Sequence, residues 1–168
     1  MLPWLPQTRW PDELKVFLGA HASDPTLPPR TADPQLSAEI QSLADAAGGA
    51  RRGDQLRAAL YLAIGDLHAS HELSQNDSSA MGSLLHGIMH RREGDFSNSL
   101  YWFNRCRSID LSETIGQGYS PDGLTAAYEQ AFVARGGQLQ PRRGADHDKI
   151  IEDSWREWRA VVDRILAV

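Results

Sequence analysis

The sequence predicts an all-α fold: a single-domain helical bundle of seven to eight helices with tetratricopeptide-like antiparallel hairpins. Three observations carry that expectation. Apolar residues recur at i, i+3 and i+4 through most of the 168 positions, as they do on core-facing helices. Alternation of apolar and polar residues never persists over a strand length, so no strand is expected. Capping residues, prolines at first helical positions and glycine stops punctuate the chain at helix-length intervals. One domain over 1–168 suits this length.

Residues 1–32 form a proline-rich N-terminal segment with one short helix, Pro11 to Gly19, burying Leu14, Phe17 and Leu18. Asp33-Pro34 starts the next helix, with a carboxylate cap and proline at the first position. It carries Leu36, Ile40 and Leu43 and stops at Gly48-Gly49. Residues 54–107 form a central helical-hairpin core. Leu56, Ala59, Leu60, Ala63 and Ile64 make one apolar stripe, ended by Gly65. Asp66 caps a helix from Leu67 to Gln75, and the polar turn 76–79 caps another from Ala80 to Glu93. Gly94-Asp95 repeats the stop and cap before a helix with Phe96, Leu100 and Phe103. Gly65-Asp66-Leu67…Ser70 and Gly94-Asp95-Phe96…Ser99 thus form an internal repeat at an offset of 29 residues. Ser120-Pro121 starts a helix that runs to Gly136-Gly137. The last helix, from Asp146 to Leu166, presents Ile150, Ile151, Trp155, Trp158, Val162 and Ile165.

Composition excludes several function classes. A net charge of −5 opposes nucleic acid as the main partner. No run approaches the ~20 apolar residues of a membrane span, and the N-terminal Met1-Leu2-Pro3-Trp4 has no basic start, so a cytoplasmic location is expected. The single cysteine, Cys106, rules out an internal disulfide and reads as a buried packing thiol. Catalytic signatures are missing. His86-Gly87-Ile88-Met89-His90 has zinc-protease spacing, but Gly87 stands where the general-base glutamate belongs. His90-Arg91-Arg92-Glu93 reverses the Glu-x-x-His order of di-iron bundles. There is no nucleophile elbow, phosphate loop or dinucleotide fingerprint.

The chemistry-bearing feature is histidine. Four of six histidines lie between positions 68 and 90. His68 and His71 share a helix face, as do His86, His90 and Glu93, the latter set turned away from Met81, Leu84, Leu85 and Ile88. A turn of about four residues makes the two helices antiparallel. His71 is then level with His86, and His68 with His90. The candidate ligands are His68, His71, His86, His90 and Glu93, suiting a divalent transition metal such as Zn, Fe or Ni. A solvated or interface-packed histidine set and a metal-free polar pocket are the alternatives.

The segment Gly82-Ser83-Leu84-Leu85-His86-Gly87-Ile88-Met89-His90-Arg91-Arg92-Glu93-Gly94-Asp95-Phe96-Ser97-Asn98-Ser99-Leu100-Tyr101-Trp102-Phe103 resembles a block, G-S-x-x-H-x-I-M-H-R-R-E-x-D-x-x-N-x-x-Y-W-F, of a mostly bacterial helical family without an established activity. Asp66 to Gln75 resembles its companion helix. The resemblance implies a shared surface of His71, Gln75, His86, His90, Arg91, Arg92, Glu93, Asn98 and Tyr101, and no mechanism. The expectation for function is a helical binding module with a histidine-rich polar groove between helices 67–75 and 80–93. Its partner is a protein or small-molecule ligand, without nucleic acid or membrane, and a homodimer through the last helix stays open. The alternative is a metal-dependent or general acid–base enzyme using His71, His86, His90 and Glu93.

Overall fold

The computed structural model describes residues 2, 5–111, 115–116, 118–136 and 138–167. Its architecture is an all-α bundle. After a short 3-10 helix at Leu5–Gln7 come α1 (Asp12–His21), α2 (Pro34–Ile64), α3 (Leu67–Gln75), α4 (Ala80–Glu93), α5 (Phe96–Arg105), α6 (Pro121–Ala131) and α7 (His147–Leu166). Between α6 and α7 lies a two-stranded antiparallel hairpin, β1 (Phe132–Arg135) and β2 (Gln138–Pro141). Among the described residues, no helix is long and apolar enough to cross a membrane.

Capping residues set the boundaries. Asp33, Asp66, Ser79, Asp95, Ser120 and Asp146 each accept a backbone N–H three residues on, satisfying a donor that the first helical turn leaves orphaned. The 29-residue repeat is structural. Gly65 and Gly94 both close their helices in the left-handed region (φ 90° and 83°), where glycine carries no Cβ penalty. Ser70 and Ser99, equivalent in the repeat, are both fully buried.

Two expectations are revised. Helical residues run from Pro34 to Ile64, but not as one unbroken rod: the run doubles over around the glycines at 48 and 49, where a stop was expected, and helix resumes directly after the reversal. The Arg57 guanidinium donates to Gln41 Oε1, and a Cβ on Gly53 would lie 3.6 Å from the Ala44 carbonyl oxygen. In a straight helix those pairs would be roughly 24 Å and 14 Å apart along the axis. The chain therefore reverses between Ala44 and Gly53, and α2 contributes two arms.

The second correction is the hairpin: α6 ends at Ala131, not at Gly136, and strands follow. Each strand has four residues, of which only Phe132 and Leu139 are buried, too short and one-sided to produce alternation. Gly136 (φ 58°) makes the turn. Phe132 and Leu139 join Leu124, Tyr128, Ala131 and Ile150 in a small second core. The main core gathers α1, both arms of α2, α4, Phe103 and α7. Trp158 on α7 donates its indole N–H to the Ala59 carbonyl (2.7 Å), and Trp10 to Asp163 (2.6 Å).

Candidate metal centre

Helix α4 is the central rod, buried from Met81 to Arg92 on every face. It packs against α3 on one side and α5 on the other. Its glycines allow that closeness. A Cβ on Gly82 would collide with the backbone carbonyl of Asp77, and one on Gly87 would sit 2.5 Å from the Phe103 ring. Ser99 on α5 donates its hydroxyl to the Gly87 carbonyl (2.8 Å), fixing the register that lays Trp102 over α4.

That packing brings three imidazoles together. His71 on α3 meets His86 on α4 edge-to-face, centroids 4.7 Å apart, and lies 5.5 Å from His90. His86 and His90, one turn apart, stack at 4.7 Å. The other face of this stack is closed by Trp102, whose indole lies 4.0 Å from His86 at 20°. One ring nitrogen from each of His71, His86 and His90 lies within 4.8 Å of the other two. Two nitrogens bound to one tetrahedral zinc are about 3.4 Å apart, so seating an ion takes a closure of up to about 1.4 Å together with a rotation of the stacked His86 and His90 rings that turns their in-plane lone pairs toward one point.

Their hydrogen bonding differs sharply. His90 Nδ1 faces Glu93 Oε2 at 3.2 Å, and Asn98 Nδ2 lies 3.0 Å from His90 Nε2. The assignment that satisfies both contacts has Nδ1–H donating to the carboxylate and Nε2 accepting from the amide. His86, only 3 % exposed, has no partner at either nitrogen. Burial, with His90 and His71 adding to it, lowers the His86 pKa to about 4. Burial and then His90 lower that of His71 as well. Both rings are therefore neutral at pH 7, the state a metal needs.

The remaining sequence-derived candidates divide. Glu93 and Asn98 flank His90. His68 is not brought in: it is exposed and its ring faces Glu72 at 3.6 Å. Gln75 is exposed at the end of α3. Tyr101, 54 % exposed, meets Trp102 edge-on, and the Arg105 guanidinium lies over both rings at 5.8 and 5.5 Å.

Arg91 and Arg92 point away from the imidazoles and into the protein. Arg91 makes a fork-like pair with the fully buried Glu157 of α7, which also accepts from Tyr119. The guanidinium lies between the rings of Phe103 and Tyr128. Arg92 donates to the carbonyls of Pro25 (2.9 Å) and Leu62, and burial brings its pKa down to about 10. Both arginines are scaffold. Cys106 is likewise buried, its thiol pushed up to about 11 by burial and by Glu157, which leaves it without thiolate character.

Sequence reasoning did not single out Trp102 for the site, nor Glu157, Tyr119 and their contact with Arg91. A charged residue on the apolar face of α7, beside Trp158, was the available signal for Glu157. No family model, curated protein or solved structure matches the chain.

Proposed function

We propose that the chain is a helical binding module whose centre is a three-imidazole site for a divalent transition ion, with His71, His86 and His90 as ligands. One observation carries the reading: His86 is buried against two other imidazoles, His90 on its face and His71 at its edge, with both nitrogens unpartnered. An orphaned buried polar group costs about 1–3 kcal/mol, and an ion at the convergence point would remove that cost for the nitrogen that ligates it. The donor set is all nitrogen, which suits zinc, nickel, copper or iron and not calcium or magnesium. The carboxylate on His90 Nδ1 is the outer partner that ligating imidazoles use to fix tautomer and orientation. Three protein ligands leave a fourth position for water or a small ligand.

The test is elemental analysis of untagged protein purified without chelator, beside His86→Phe, which keeps a ring against Trp102. About one equivalent of one transition metal, lost in the variant, is the expected result. A folded wild-type chain that neither carries metal nor takes up added zinc overturns the reading.

The His90–Glu93 contact favours a second reading, in which the cluster moves protons as an acid–base centre. It predicts a catalysed reaction insensitive to chelators, and fails if activity follows metal content.

A further inference from the structure

We infer that Asn98 is a displaceable amide cap on His90: it holds the lone pair that the ion needs, and the ion takes its place. This rests on the metal reading above and concerns how that site is kept and opened. The three imidazoles are not equivalent. His86 offers two unpartnered nitrogens. His90 offers none, because Glu93 occupies the Nδ1 side and Asn98 the Nε2 side.

The chemistry of the flanking groups fixes which side must yield. An ionised carboxylate only accepts, so Glu93 requires a proton on Nδ1. That places the lone pair on Nε2, where the amide nitrogen of Asn98, a donor, stands 3.0 Å away. With Nδ1 protonated, an ion can bind His90 only through Nε2, and it meets that lone pair already engaged. Breaking the Nδ1 contact would lose a charge-assisted hydrogen bond, whereas releasing Nε2 gives up only a neutral one. Asn98 is also built to let go. Its backbone is anchored by the Asp95 cap at 3.2 Å, while its side chain is half-exposed at the first turn of α5 and swings by rotation alone. Glu93 and Asn98 therefore act on the same ring with opposite effects: Glu93 prepares the ligand and Asn98 covers it.

The two positioning roles separate by sign. Zinc affinity is measured by competition with a chromophoric chelator on the full chain, for wild type, Asn98→Ala and Glu93→Ala. Asn98→Ala is expected to bind zinc about fivefold more tightly, the equivalent of one neutral hydrogen bond no longer in competition. Glu93→Ala is expected to bind at least about tenfold more weakly, as loss of an outer-shell partner does. A merely packing role for Asn98 weakens or leaves unchanged the affinity and so overturns the inference while wild-type binding keeps the metal reading intact. Wild-type protein that takes up no zinc overturns both. A second measurement needs no variant: the side-chain amide resonances of Asn98 and the His90 ring nitrogens, followed by NMR during zinc addition. Displacement moves both together, with Nδ1 staying protonated. An Asn98 amide unmoved at saturating zinc refutes the cap.

Discussion

The imidazole of His86 lies flat on the indole of Trp102, 4.0 Å between centroids and 20° from parallel. That stack makes one wall of the site apolar and keeps water from a ring that has no hydrogen-bond partner. Desolvation is the largest cause of the low His86 pKa, and Trp102 supplies part of it. Trp102→Ala is expected to raise the His86 titration midpoint from about 4 to about 5 or higher, read from ring proton shifts in metal-free protein. A midpoint still near 4 would show that the wall is not what desolvates the ring.

The same ring links stability to pH. Its folded pKa of about 4 lies below the usual imidazole value of 6.5, so between those values the unfolded chain binds the extra proton. Stability is thus fully present above 6.5 and is lost as pH falls toward 4. From pH 7 to pH 5 the metal-free protein should lose about 2 kcal/mol through this group. Urea unfolding of wild type and His86→Phe at both pH values isolates the contribution. An equal loss in the variant assigns the acid limb to other groups.

Arg91 and Glu157 are respectively 1 % and 0 % exposed as side chains. Removing one leaves a buried charge uncompensated, so Arg91→Met or Glu157→Leu alone should cost about 3–5 kcal/mol. The double variant should recover most of that, because it strands neither charge, although Tyr119 loses its acceptor. A double-mutant cycle by chemical denaturation decides it, and additive losses would mean the pair is not coupled.

Two glycines should respond in opposite directions to alanine. At Gly87 the new methyl meets the buried Phe103 ring at 2.5 Å, which should cost about 1–3 kcal/mol and push α5, with Trp102, off the site. At Gly19, on the exposed face of α1, nothing lies within 4 Å, and alanine should add up to about 1 kcal/mol through helix propensity. Thermal melts of the two variants suffice, and equal shifts would contradict the packing described.

The repeat, the caps and the histidine level were readable because each is local. A glycine–aspartate pair closes one helix and opens the next wherever it stands, and a four-residue turn leaves antiparallel packing as the only arrangement. His71 opposite His86 follows from that arithmetic. His68 failed the same arithmetic because its position on α3 turns outward toward Glu72, a rotational detail that residue sums do not carry. The β-hairpin was illegible because four-residue strands with one buried side chain each show no period. The Arg91–Glu157 pair was illegible because its partners are 66 residues apart and nothing local to either requires the other. The reversal within α2 lay between: the glycines marked where it happens, while nothing local showed that helix resumes directly after it.

The burial of α4 on every side gives the three imidazoles different mobilities. His86 and His90 ride on a rod held by Glu157 through Arg91 and by the Pro25 and Leu62 carbonyls through Arg92. In the proposed metal site they would be the two ligands whose backbone positions are fixed by the bundle, leaving only ring rotation to adjust. His71 sits half-exposed on the nine-residue α3 and would be the arm that closes on the proposed ion. If the proposed ion is bound, exchange with an outside chelator should therefore start at His71, with the rod setting the accepted geometry and the arm the residence time.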